Sequence, residues 1–145
     1  MTDTNIASKL NIDTLSVHTF MYDDGVPERV GKYEDILESV CALLMLLGFK
    51  TFLSGFKFLA RLILNRITQK DYDKNKVIED IANDYAVSER AVVNNITECV
   101  ERNTQFNVRA ARLLKKPILN ITNADEAIET ISAIYYIYYN YKLSN

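Results

Sequence analysis

Glycine and proline are unusually scarce in this chain after residue 55. No glycine follows Gly55, so ninety consecutive residues pass without one, and Pro117 is the only proline after Pro27. Hairpins and short strands need such turn residues at regular intervals, whereas helices joined by short polar linkers do not. The sequence therefore predicts an all-α fold.

From Tyr33 onward the apolar residues recur at three- and four-residue steps, which is the spacing of amphipathic helices. Gly48 is a natural stop for the first helix, and Phe52 is expected on the buried face of the second. Asn123, followed three residues later by Glu126, predicts an N-cap for the last helix. Together these patterns predict about six helices, over residues 33–47, 51–68, 76–84, 89–103, 108–115 and 124–142.

The chain length of 145 residues fits one domain with a preceding polar segment. Residues 1–32, which include DDGVPERVG, lack helical spacing and are expected to form a flexible acidic N-terminal arm. Residues 33–145 are expected to form a single helical domain. With 48% hydrophobic and 25% charged residues, the composition excludes a disordered chain, a collagen or a disulfide scaffold.

The net charge of −2 is unevenly distributed along the chain. Residues 1–47 carry three basic and eight acidic side chains, whereas residues 48–116 carry thirteen basic and eight acidic ones. Residues 117–145 have one basic and three acidic side chains. A basic middle between two acidic ends can form a local binding surface for phosphate; the alternative is an evenly solvated surface.

Few residues are available for metal binding or nucleophilic catalysis. Cys41 and Cys99 lie far apart in apolar helical surroundings and are expected to be buried free thiols, and His18 is the only histidine. No phosphate-binding glycine loop or nucleophile motif occurs. The N-terminus does not have the pattern of a signal peptide, and the longest apolar stretch, residues 40–47, is too short to cross a bilayer. We expect a cytoplasmic protein that is not an enzyme and uses no metal, cofactor, small-molecule substrate or membrane.

Residues 78–100 have the spacing of a helix-turn-helix. Ala82 is small enough for two helices to cross closely, and Ala86 occupies the turn position where glycine is common. Ser88 is expected to cap the second helix, while Val87, Val92 and Ile96 fill the angle between the two helices. Such a pair can place the start of its second helix in the major groove of DNA. The alternative is a helical hairpin that binds no partner.

This register predicts which side chains meet double-stranded DNA. Arg90 can pair with guanine and Asn94 with adenine, while Ser88 can contact a phosphate. The side chains expected to face the bases are Ser88, Glu89, Arg90, Val93, Asn94 and Thr97. The cations expected to neutralise phosphates on either side are Lys57, Arg61, Arg109, Arg112, Lys115 and Lys116. The alternative for the cations is a solvated helix surface.

Three segments of this sequence occur in a familiar order: LLMLLGFKTFLSGFKFLARLI, VIEDIANDYAVSERAVVNNITECVERN and NADEAIETISAIYYI. The order resembles the C-terminal effector domain of the master sporulation response regulator of endospore-forming Firmicutes. In that family a helix ends in Ile-Gly, a Leu- or Ile-x-Gly-aromatic step leads into a long helix, and Asp-Ile-Ala opens the helix-turn-helix. The matching positions here are Leu47-Gly48, Leu53 to Phe56 and Asp80 to Ala82. The resemblance covers about three quarters of the chain and implies an all-helical DNA-binding transcription regulator.

The chain departs from that family in two places. Where the family's recognition helix is rich in arginine and glutamate, this sequence has Ala91, Val93, Asn94 and Thr97, and only Arg90 provides a guanidinium nearby. The 32 residues before the resemblance are too few for the family's receiver domain, so we expect no control by a receiver aspartate. The acidic arm is instead hypothesised to fold back on the basic middle.

Two functions remain open from the sequence. The first is a helix-turn-helix transcription regulator that binds double-stranded DNA, as a homodimer or in tandem. The second is a derived relative that no longer binds DNA and acts as a protein-protein interaction or dimerisation module. The mixed character of the outward-facing row on the second helix does not decide between them.

Overall fold

Six α-helices and one π-helical turn make up residues 33–140, the part of the chain that this computed structural model describes. The helices are α1 (Tyr33–Leu46), α2 (Ser54–Thr68), α3 (Lys74–Tyr85), α4 (Glu89–Glu101), α5 (Phe106–Leu114) and α6 (Ala124–Tyr135), and the π-helical turn is Tyr136–Asn140. The all-α prediction is confirmed for these residues. The predicted N-terminal arm, residues 1–32, and its hypothesised contact with the basic middle lie outside them.

The connection between α1 and α2 differs from the sequence prediction. The predicted stop is confirmed: α1 ends at Leu46, and Gly48 has a positive φ of 99° that few other residues adopt readily. The second helix, however, begins at Ser54 rather than at residue 51. Phe52 was expected on its buried face but lies in the preceding turn, where 74% of it is exposed and its ring is 6.0 Å from the Arg102 guanidinium carbon. Apolar spacing extended the helix too far because Phe52 fits the period by coincidence.

Helix α2 is at the centre of the domain and packs against α1, α3, α4 and α6. Its sequence explains this position, because its apolar residues extend around most of the helix and not along a single stripe. Its buried residues are Gly55, Phe56, Phe58, Leu59, Ala60, Leu62, Ile63, Leu64 and Asn65. The other helices each contribute one apolar face to this centre, so the domain has one continuous hydrophobic core.

The chain between α6 and residue 140 forms a π-helical turn in place of the regular helix that the spacing predicted. The rings of Tyr135 and Tyr139 are buried and stacked, with centroids 4.4 Å apart and planes 5° from parallel. The hydroxyl of Tyr138 donates to the carbonyl oxygen of Leu113 at 2.6 Å, and that of Tyr136 donates to Ile67 at 3.2 Å. The tyrosines therefore attach the end of α6 to α5 and α2.

Within residues 33–140, none of the helices combines the length and the apolar character that crossing a bilayer requires. Cys99 is a buried free thiol, as the sequence predicts. Cys41 is also a free thiol, but it is only half-buried where the sequence predicted a buried one.

Candidate nucleic-acid interface

The turn between α3 and α4 consists of residues 86–88. Ala86 adopts the left-handed conformation, with φ 55° and ψ 46°, and its N–H donates back to the last turn of α3. The N–H of Val87 donates to the carbonyl oxygen of Ala82 at 3.0 Å. This pattern is the usual way to end a helix and redirect the chain, although glycine normally occupies the left-handed position. The next helix then begins immediately, at Glu89.

The Ser88 side chain caps α4 as the sequence predicts. Its hydroxyl oxygen accepts a hydrogen bond from the N–H of Ala91 at 3.0 Å. This bond satisfies one of the amides that the first turn of a helix leaves without a partner. Because the hydroxyl is used in the cap, Ser88 contributes to this surface mainly by fixing where α4 begins.

The inner face of α4 is held tightly against α2. Val92, Ile96 and Cys99 are buried, with at most 3% of each exposed. The closest approach is at Gly55, because a Cβ atom there would overlap the carbonyl oxygen of Asn95 and lie 2.8 Å from the Cβ of Cys99. Burial, with the neighbouring Glu98 carboxylate, raises the pKa of the Cys99 thiol to about 11. The position of α4 is therefore determined by direct backbone packing.

The opposite face of α4 is directed to solvent. Five of the six side chains predicted to face the bases are exposed: Ser88, Glu89, Arg90, Val93 and Asn94. The sixth, Thr97, is half-buried. They extend over the first two turns of the helix, where a recognition helix contacts base edges. Val87 differs from expectation: it was expected to fill the angle between α3 and α4, but 39% of it is exposed. Its place is too close to the turn for the core to cover it.

Two cations from α2 lie beside the end of α3. The Lys57 ammonium is 4.5 Å from the centre of the Tyr85 ring, and that ring meets Phe58 edge-on at 5.2 Å. Arg61 pairs with Asp84 at 2.9 Å and is half-buried. Lys57 is therefore exposed close to the turn and available to an anion, whereas Arg61 already has a carboxylate partner.

The four basic residues predicted in and after the fifth helix do not behave alike. Arg109 is half-buried and its guanidinium donates to the carbonyl oxygen of Leu46 at 2.8 Å, so it closes the C-terminal end of α1. Arg112, Lys115 and Lys116 are exposed, and no carboxylate of residues 33–140 pairs with them. The structure thus divides the predicted phosphate contacts into cations with internal partners and cations without them.

Sequence reasoning missed the contribution of Tyr85 and Asp84, the residues that connect α2 to the turn. Their partners, Lys57 and Arg61, come from more than twenty residues earlier in the chain, so no local pattern indicated these contacts. Among residues 33–140, no cluster of three or more histidine, cysteine, aspartate or glutamate side chains is placed to hold a metal ion.

No protein-family model, curated protein or solved structure matches this chain.

Proposed function

We propose that this chain is a cytoplasmic, non-enzymatic transcription regulator that binds double-stranded DNA through a helix-turn-helix formed by α3 and α4. We further propose that it is a relative of the sporulation regulator's effector domain, with a changed recognition helix. In this proposal the first two turns of α4 enter the major groove, and the protein binds as a homodimer or in tandem.

The observation that carries the proposal is the contrast between the two faces of α4. One face is fixed to α2 at Gly55, whereas the other presents Arg90, Val93 and Asn94 to solvent. Arg90 has no carboxylate partner within residues 33–140. Direct readout requires a rigidly held helix whose first turns present side chains that can form hydrogen bonds with base edges.

The chemistry of the exposed row supports duplex DNA as the ligand. Arg90 can donate two hydrogen bonds to guanine, Asn94 can pair with adenine, and Glu89 can accept from the amino group of cytosine. Val93 lies between them and provides an apolar contact for a thymine methyl group. Lys57, beside Tyr85, supplies a cation for the adjacent phosphate backbone. The proposal assigns no contact to Arg112, Lys115 and Lys116, which lie in the last turn of α5 and just after it.

The proposal is tested by a salt titration of duplex binding, using a site selected from random duplexes. We expect the wild-type affinity to fall as salt rises, because bound phosphates release counterions. The double variant Arg90→Ala with Asn94→Ala should weaken binding to the selected site by about 1–3 kcal/mol for each lost base contact, with much less effect on random duplex.

The matched control is the double variant Lys70→Ala with Asn75→Ala. It also removes one exposed cation and one exposed asparagine, here from positions beyond the opposite end of α2, and it should bind like the wild type. Absence of any duplex binding at low salt would contradict the proposal and favour the protein-interaction alternative. Equal losses in the two double variants would contradict the assignment of α4.

A further inference from the structure

An open groove of about 490 Å³ lies along α5, on residues that the proposed DNA contact does not use. Its lining residues are Asn107, Val108, Ala111, Arg112, Lys116, Pro117, Ile118 and Leu119. One wall is α5 itself, and the other is the irregular segment that connects α5 to α6.

Asn107 holds the two walls together. Its side-chain amide donates to the carbonyl oxygen of Ile121 at 3.1 Å, and its side-chain oxygen accepts from the N–H of Ile121 at 2.8 Å. This double hydrogen bond attaches the irregular segment to α5 at one point. Between the end of α5 and Ile121, residues 118–120 form no backbone hydrogen bond within the described part of the chain. Their amides and carbonyl oxygens are free to pair with another backbone.

The groove combines apolar surface with positive charge. Ile118 is 76% exposed and Val108 is 55% exposed, and both side chains line the groove. Arg112 and Lys116 are also part of the lining, and Lys115 is exposed beside them. No aspartate or glutamate occurs from residue 102 to residue 124. Within residues 33–140 no carboxylate forms an ion pair with Arg112, Lys115 or Lys116, so this described surface is positively charged.

We propose that this groove is a docking site for an acidic peptide segment that presents an apolar side chain between carboxylates. The apolar side chain covers Val108 and Ile118, and the carboxylates pair with Arg112 and Lys116. The free backbone of residues 118–120 pairs with the backbone of the peptide. A DNA backbone fits less well, because phosphates and sugars offer nothing comparable to cover the exposed Ile118.

The experiment measures binding of a fluorescein-labelled peptide, Glu-Asp-Leu-Asp-Glu-Leu-Asp, to the full chain by fluorescence anisotropy. Two matched peptides replace either every acidic residue by its amide or every leucine by serine. We expect both replacements to weaken binding, the amide peptide by at least about tenfold, because the site needs charge and apolar contact together. Equal binding of the serine peptide would overturn the proposal, since it would show a purely electrostatic surface.

Variants of the chain locate the site. Arg112→Glu with Lys116→Glu should weaken binding of the acidic peptide by about tenfold or more, and Ile118→Ser should weaken it severalfold. The matched control, Lys50→Glu with Lys70→Glu, reverses two exposed cations elsewhere and should leave peptide binding unchanged. A similar loss in the control would overturn the proposal, because it would indicate a response to net charge alone.

Duplex DNA provides the remaining comparison. The groove variant should bind a selected duplex like the matched charge-reversal control, and the Arg90→Ala/Asn94→Ala variant should bind the peptide like the wild type. A selective loss of duplex binding in the groove variant, with no effect on the peptide, would overturn the proposal and assign these cations to phosphate. The docking site and the proposed DNA-binding function can thus fail independently.

Discussion

The guanidinium of Arg109 donates a hydrogen bond of 2.8 Å to the carbonyl oxygen of Leu46, 63 residues earlier in the chain. Leu46 is the last residue of α1, where a helix leaves carbonyl oxygens without intrahelical partners. A cation is also favourable at this negative end of the helix dipole. A side chain that the sequence placed among the DNA contacts therefore joins α5 to α1.

Replacing Arg109 should consequently lower stability. We expect Arg109→Ala to reduce the free energy of unfolding by about 1.5 kcal/mol, because a charged hydrogen bond and a half-buried side-chain stem are lost. Arg112→Ala, three residues along the same helix at an exposed position, should change it by less than about 0.5 kcal/mol. Urea denaturation of both variants checks this difference. Equal effects would mean that the Leu46 contact adds no stability.

The left-handed residue of the α3–α4 turn offers a stabilising substitution. Ala86 has a φ of 55°, a conformation that is unfavourable for residues with a Cβ atom. We expect Ala86→Gly to raise the free energy of unfolding by about 0.5–1 kcal/mol, measured by thermal or urea denaturation. Ala133→Gly, at an exposed position inside α6, should lower it by about 1 kcal/mol. If both substitutions changed the free energy of unfolding in the same direction, the backbone strain assigned to Ala86 would be contradicted.

The close approach of α2 to α4 predicts a large effect at Gly55. A Cβ atom in Gly55→Ala overlaps the backbone of Asn95, which cannot move without shifting α4. We expect a loss of about 3 kcal/mol in the free energy of unfolding, by chemical denaturation. Ser54→Ala, at the exposed neighbouring position, should have an effect below about 1 kcal/mol. A near-neutral Gly55→Ala variant would show that the two helices separate easily.

The buried thiol on α4 predicts a loss of stability in alkaline solution. Burial raises the pKa of Cys99 from 9.0 to about 11, so the folded protein binds this proton more tightly than the unfolded chain does. The contribution is complete below about pH 9 and is lost as the pH rises toward 11, by roughly 1–2 kcal/mol.

Denaturation of wild type and Cys99→Ala at several pH values between 8 and about 11 measures this contribution. The wild type should lose more stability over this interval than the variant, although Cys99→Ala starts from a lower value because it leaves a small cavity. Parallel pH profiles would show that ionisation of Cys99 is not coupled to unfolding. Tyr72, whose pKa burial raises to about 12, titrates mainly above this interval in the folded protein and remains in both chains.

Local features of the fold could be predicted because their causes are local. The three- and four-residue spacing of apolar side chains located the helices to within a few residues, except at the end of α6, which was predicted at residue 142 and lies at Tyr135. Ser88 and Asn123 cap the helices that follow them, as predicted, because each side chain bonds to an amide three residues away. The turn at Ala86 was also predicted from the sequence, although alanine occupies a position where glycine is common.

The candidate interface was predicted only in part. The spacing that buries Val92 and Ile96 also determines that Arg90, Val93 and Asn94 face outward, since one helix presents both sets. The exposed position of Phe52 could not be predicted in this way, because a side chain in a turn follows no helical period. The groove beside α5 was not expected at all, because one of its walls is an irregular segment attached through Asn107.

The sequence by itself determined the class of the fold, the approximate helices and the residues on each face of α4. Only the tertiary structure decided which cations are free, as the contrasting positions of Arg109 and Arg112 show. Periodicity specifies the direction of a side chain relative to its own helix, which depends on neighbours a few residues away. The partner of a long cationic side chain depends on which distant backbone the packing brings within hydrogen-bond distance, and only the assembled core specifies that.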